Sequence, residues 1–406
     1  MPKLLLCWET GAGRGHVTTL ATVARGAAGL FSSEAALARL EHIDELLLWS
    51  ERIHSAPLLL RQTDEQLLGP SASEARPEKP GTPARFAYGL ANWLGRRGFR
   101  DRDLLRIRIR WWRKKIEETR ADLVVADYAP NAILAARSLG VPTLVTGTAL
   151  SVPPAHLERL PVFFRSDDAV LLDEKRTVEV INDVLSPLGL EPLQHLAGLY
   201  DCTLQMPRGV SVLDPYAKWR TGPRVLPLDR LPPRSEGTGS EVFIYFSTEE
   251  LEDPEIWKAM TMLPLTARLV APGLSSEAAA RLAQANSRIT IETELLGHTS
   301  IVERARLIVC AGQAGMTTLG LLAGVPMVLL PLHAEQALNA QNAVTTGTCR
   351  ALLPRQRTAE ETVGQIAELW EDTVTGAAAR SGASSLRAEF SQGAVESFRQ
   401  ATASIL

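Results

Sequence analysis

Two side chains stand where a proton could be moved. His16 closes the string Gly11-Ala12-Gly13-Arg14-Gly15-His16, between the apolar run Lys3–Trp8 and a segment whose apolar residues (Leu20, Val23, Ala24, Ala27) fall at helical spacing. A histidine at a helix start, on the carboxyl edge of a parallel strand, feels the positive end of the helix dipole. That disfavours the imidazolium and leaves a neutral ring able to accept a proton. The same position also suits a histidine that only caps the helix. Asp127 ends the run Leu123-Val124-Val125-Ala126 at a second carboxyl edge. It either orients His16 as the carboxylate of a His–Asp base without a serine or caps the helix that follows it.

A second constellation lies late in the chain. The apolar run Arg306–Cys310 is followed by Ala311-Gly312-Gln313-Ala314-Gly315, then a helical stretch from Met316 to Ala323 stopped by Gly324-Val325-Pro326. A glycine loop entering a helix offers unpaired backbone N–H groups to an anion, and two phosphates would suit it. A plain strand–helix turn has the same sequence. Just after the next apolar run, Glu335 and Gln336 stand side by side. A carboxylate beside an amide can accept from and donate to vicinal hydroxyls, or the pair simply opens an exposed helix.

These groups must be held by a framework, and the chain spells one out. Short apolar runs alternate with helical periodicity: Lys3–Trp8, Leu46–Trp49, Leu123–Ala126, Val141–Val145, then Val242–Phe246, Arg268–Val270, Ile289–Ile291, Leu307–Cys310 and Met327–Leu330. The pattern predicts an α/β protein with parallel sheets covered on both faces. A Pro- and Gly-rich stretch from Asp214 to Ser240 divides it into two doubly wound, Rossmann-like halves. The expected domains are 1–225 and 226–385, with 386–406 forming an amphipathic last helix. The likeness of the halves places the site in a cleft between them. Thr358-Ala359-Glu360-Glu361 has capping-box spacing. Residues 70–83, with four prolines, read as a mobile loop. The first glycine string runs G-x-G-x-G, and the second expected strand ends near Glu51. A dinucleotide fingerprint would need G-x-G-x-x-G and an acid roughly 20 residues on.

Composition narrows the class. The 406 residues carry 43 Lys+Arg against 46 Asp+Glu, a net charge of −3, which argues against a general nucleic-acid binder. Four dispersed cysteines make neither a metal spacing nor a disulfide framework. The start meets Glu9 too early for a signal core. The apolar stretch Leu319–Leu332 is too short for a bilayer. A cytoplasmic protein is expected. Between Arg96 and Lys115 stand ten basic and two acidic residues. On a helix, Arg102, Arg106, Arg110, Arg113 and Lys114 share one face, opposite Leu104, Leu105, Ile107, Ile109, Trp111 and Trp112. Such a helix either packs on a core with a solvated basic face or touches the anionic inner face of a membrane.

Taken together, Leu4–Ala24, Ala121–Gly147 and Glu294–Asn342, about a quarter of the chain, resemble the GT-B glycosyltransferases of the UDP-glycosyltransferase type. The specific part runs from Ser300-Ile301-Val302-Glu303-Arg304-Ala305-Arg306-Leu307 through Gly324-Val325-Pro326 to Glu335-Gln336-x-x-Asn339-Ala340. The resemblance implies two Rossmann-like domains facing a central cleft, the last helix returning to the first domain, and inverting sugar transfer from a UDP- or TDP-sugar without a metal. His16 would be the base and Asp127 its partner. Ser247, Thr248, Gly312, Gln313, Ala314 and Gly315 would hold the diphosphate, and Glu335 and Gln336 the sugar. The departures are specific too. The family's diphosphate histidine falls on Ala311, its second glycine on Gln313, the threonine on Met316 and the ribose glutamate on Leu319. Those losses favour the alternative of a non-catalytic GT-B protein that binds a sugar, a nucleotide or a partner enzyme. Sugar, base, acceptor and oligomeric state are not set by the sequence.

Overall fold

The computed structural model describes residues 1–10, 14–60, 62, 87–165, 172–247 and 249–406. Gly11, Ala12, Gly13, Thr248 and the proline-rich stretch 70–83 lie outside the described residues. The chain forms two compact units: Met1–Arg208 with Tyr216–Val225 and Ala394–Leu406, and Gly209–Pro215 with Leu226–Gly393.

In the first unit, β1 (Lys3–Trp8), β2 (Ser32–Leu37), β3 (Arg52–Ser55), β5 (Leu123–Asp127), β6 (Thr143–Thr148) and β8 (Leu204–Arg208) form a parallel sheet in the order β3-β2-β1-β5-β6-β8. A two-residue antiparallel ribbon, β4 (Ala87–Tyr88) with β7 (Phe164–Arg165), stands apart. Alternation along β1 feeds both faces. Leu4, Leu6 and Trp8 join one apolar cluster with helix Arg14–Ala27 and helix Ala394–Ala403; Leu5 and Cys7 join the other. The last helix comes close at Gly26, where a Cβ would stand 2.7 Å from the Val395 carbonyl oxygen.

The second strand is not where the apolar run predicts it. Leu46 lies in the short helix Asp44–Leu47, and the strand is Ser32-Ser33-Glu34-Ala35-Ala36-Leu37. Small side chains suit a central position covered on both faces, and its one carboxylate is met by His54, whose Nε2 lies 2.8 Å from Glu34 Oε2. Tertiary context overrides a weak local β preference here.

The second unit repeats the design. β9 (Glu241–Tyr245), β10 (Ala267–Val270), β11 (Ile289–Glu292), β12 (Ala305–Cys310), β13 (Met327–Leu329) and β14 (Cys349–Ala351) run parallel in the order β11-β10-β9-β12-β13-β14. On β12, Ile308 and Cys310 pack to one side, Leu307 and Val309 to the other. In each sheet the order reverses beside its first strand, between β1 and β5 and between β9 and β12. Such switch points are where open α/β sheets bind ligands.

The basic helix Arg102–Thr119 packs Leu105, Ile109, Trp112 and Ile116 on the core. Its cations are largely engaged locally: Arg102 with Asp183, Arg106 with Asp103 (2.9 Å), Lys114 with Glu118 (3.6 Å), and Arg113 on the Ser138 carbonyl (3.1 Å). Among the described residues no helix is long and apolar enough to cross a membrane.

Candidate active site

Register builds the polar cluster of the first unit. Trp8 is the neighbour of Asp127 across β1 and β5, so both residues sit on the carboxyl edge at the switch point. Helix Arg14–Ala27 then brings His16, in its first turn, over that edge. His16 Nδ1 lies 3.1 Å from Asp127 Oδ2, although the residues are 111 apart in sequence. The Asp127 side chain is fully buried and that of His16 is 16% exposed. A carboxylate only accepts, so it fixes the proton on Nδ1 and assigns the basic lone pair to Nε2.

The surroundings hold the imidazole in plane. Trp8 stacks on it with centroids 5.1 Å apart and 23° between planes. Tyr128 meets it edge-on at 5.3 Å, and Trp93 backs Tyr128 at 5.6 Å. Tyr128 takes a left-handed backbone (φ 47°), unusual for a bulky residue. Gly147 matters for a different reason. Its φ is +129°, and a Cβ there would stand 2.6 Å from Asp127 Oδ1. Only glycine leaves room for the buried carboxylate.

Asp127 does not cap the helix that follows it. Helix Pro130–Ser138 begins just after it, but the N-cap is Ala129, with no side-chain cap bond. Glu9, fully buried, caps that helix from β1's end: its carboxylate accepts from Asn131 Nδ2 (2.6 Å), Asn131 N (3.3 Å) and Ala132 N (2.8 Å). Asp127 is thereby left to His16. Burial pushes the Glu9 carboxyl up to about 7 from its usual 4.5, the three N–H donors and Arg108 offsetting part of the rise. Between those values the folded chain keeps a proton that the unfolded chain releases. Folding stability should therefore fall as pH rises from about 4.5 to 7, by up to about 3 kcal/mol, and level off above. Urea unfolding of wild type and Glu9→Gln at pH 5, 6, 7 and 8 checks this: the variant should lack that part of the slope. Parallel profiles would mean that Glu9 titrates in the ordinary carboxylate range.

A second polar cluster forms at the switch point of the other unit. Gln313 is the N-cap of helix Ala314–Ala323, and Gly315 stands exposed in its first turn with open space where a Cβ would be. Gly312 is required: its φ is +92°, and a Cβ would meet the Gln336 carbonyl oxygen at 2.7 Å. Asn339 Nδ2 donates to the Gly312 carbonyl at 3.0 Å. Ser247, exposed after β9, donates to the buried carboxylate of Glu250.

Gln336 departs from expectation. Its amide is turned inward rather than shared with Glu335: Oε1 accepts from Leu332 N (2.8 Å) and His333 N (3.4 Å), closing a capping box on helix Ala334–Val344. Nε2 donates to Glu250 at 3.4 Å. Glu335 is half-buried in the first turn of that helix. Ala311 and Leu319, at the family's histidine and glutamate positions, are both fully buried and apolar. Trp8, Glu9, Tyr128 and Glu250 escaped sequence reading, since no local spacing marks a residue whose role comes from distant partners.

Two doubly wound parallel units, each with a polar cluster at its switch point, define the GT-B fold of glycosyltransferases. Residues 290–375 match the family model for UDP-glucoronosyl and UDP-glucosyl transferase. Among solved structures, the glycotransferase of kitacinnamycin is similar at TM-score 0.64 and 16% identity, covering 100% of this chain and 98% of its own. Spinosyn rhamnosyltransferase SpnG, complexed with spinosyn aglycone, is similar at 0.64 and 16%, over 99% and 100%. Glycosyltransferase VinC, in complex with DTDP, is similar at 0.64 and 13%, over 99% of each chain. No curated protein sequence matches the chain.

Proposed function

We propose that this protein is an inverting glycosyltransferase that moves a sugar from a nucleoside diphosphate, TDP or UDP, to an acceptor hydroxyl. The observation that carries the reading is the His16–Asp127 pair at the β1/β5 switch point. His16 Nε2 takes the proton of the acceptor hydroxyl. The acceptor oxygen forms its bond to the anomeric carbon on the face opposite the leaving group, and the bond from that carbon to the diphosphate oxygen breaks. One displacement inverts the configuration. The imidazolium that forms is stabilised by Asp127. The leaving diphosphate, beside Ser247, is received by the N–H groups of helix Ala314–Ala323 behind Gly312 and Gly315. A helix N-terminus stabilises that charge without requiring a metal. Thymidine diphosphate in complexes of SpnG and VinC supports the donor class.

A thermal-shift panel of TDP, UDP and their sugar conjugates tests the donor. Ligand at about 100 times its dissociation constant adds about 2.7 kcal/mol of stability. No shift with any of them at millimolar concentration would overturn the reading in favour of a protein without donor turnover, which buried Ala311 and Leu319 favour. Gly315→Asp gives a site-specific check. The open space admits the side chain, and an acid in a helix's first turn is itself stabilising by roughly 0.3–1 kcal/mol. Its charge faces the diphosphate, so calorimetric TDP affinity should fall roughly 10-fold with no loss of melting temperature. Unchanged affinity would place the phosphates elsewhere.

A further inference from the structure

We propose that Glu250 is a positioning residue for the donor site, locking three loops by dictating which way two glutamine amides face. The inference rests on the donor reading above and adds to it a residue outside the family-matched segment. Glu250 lies in the short turn Glu249–Glu252 that follows β9, and it is fully buried. Three side chains from three loops converge on its carboxylate. Ser247 donates to Oε2; Gln313 Nε2 donates to Oε1 at 2.9 Å, and Gln336 Nε2 to the same oxygen at 3.4 Å. The three loops leave β9 and β12, whose carboxyl ends flank this switch point, and β13, the next strand beyond β12.

A carboxylate has no proton to give, so both amides must turn their NH2 groups toward it. Their oxygens are thereby aimed at backbone N–H groups: Gln313 Oε1 accepts from Ala311 N at 3.1 Å, and Gln336 Oε1 from Leu332 N at 2.8 Å. Rotated by half a turn, either amide would set NH2 against N–H and release its loop. Glu250 thus fixes the glycine loop and the loop before Glu335 in one arrangement. Gln313 takes the place of a glycine in the resembling family, so this link belongs to the departures of this chain rather than to the shared pattern.

Glu250→Met removes the acceptor and leaves both glutamine NH2 groups without their carboxylate. Two measurements on the full chain test it. Calorimetry with TDP and with UDP should show affinity reduced by roughly 10-fold, the scale of one charged hydrogen bond. Hydrogen exchange should show faster exchange at the Ala311 and Leu332 amides. Glu250→Gln is the conservative control: its oxygen can accept from both glutamine amides while its NH2 donates to the Ser247 hydroxyl, so every contact keeps a donor and an acceptor. It should retain both slow exchange and nucleotide affinity. A Glu250→Met protein that melts earlier yet keeps wild-type affinity and exchange would overturn the positioning role. So would a Glu250→Gln protein no better than Glu250→Met. Wild type binding neither nucleotide would sink the donor reading instead, while the exchange result would still decide whether Glu250 orders the loops.

Discussion

Replacing His16 by alanine is expected to lower turnover by roughly 10²–10⁴-fold, the range for loss of a general base. Nucleotide affinity should stay where it was, because in the proposed reaction the residue acts on the acceptor proton and not on the donor. The imidazole stacks on Trp8 and pairs with Asp127, but it fills no core position, so the variant should fold. Single-turnover kinetics with saturating donor gives the cleanest comparison, and near-normal rates would remove His16 from the reaction. Asp127→Asn keeps the shape beside Gly147 but presents an amide to Nδ1, which permits the wrong tautomer. A milder loss of rate is expected there. If that variant instead only unfolds, Asp127 matters for the sheet rather than for the imidazole.

The second large effect is expected at Glu335. It stands in the first turn of helix Ala334–Val344, just beyond β13, and its neighbour Gln336 is already spent on Leu332, His333 and Glu250. Contact with sugar hydroxyls, which the resemblance implies for both residues, is expected of Glu335. A hydrogen bond to a charged group is worth about 1.5–3 kcal/mol. Glu335→Ala should cut kcat/KM with the true sugar nucleotide by roughly 10- to 150-fold, at 1.4 kcal/mol per decade. Affinity for the bare nucleoside diphosphate should not change, since that ligand lacks the hydroxyls in question. Calorimetry on wild type and variant, with and without the sugar, separates the roles. Equal losses for both ligands would make Glu335 a support of the helix or of the phosphate site.

The sequence by itself determined the elements whose signals are local. The apolar runs that became β1, β5, β9 and β12 are legible because buried parallel strands need unbroken apolar side chains. Gly312, in its left-handed turn, and the Thr358 cap, whose Oγ1 accepts from Glu361 N at 3.1 Å, follow from rules spanning a few residues. Even the edge on which His16 and Asp127 stand could be read from where their strands end. Tertiary structure alone decided the rest. A strand of Ser-Ser-Glu-Ala-Ala-Leu has no periodicity to announce it; β1 and β3, its hydrogen-bonding neighbours, make it a strand. Whether Asp127 capped a helix or met His16 depended on Glu9 taking the cap, through contacts spanning 122 and 123 residues. The Glu250 carboxylate gathers Gln313 and Gln336, 63 and 86 residues away, only because β12 and β13 are threaded in beside β9. Parallel sheets pair strands that the chain keeps far apart, so the partner of each polar group is set by strand order and register, and neither is written in any short window of sequence.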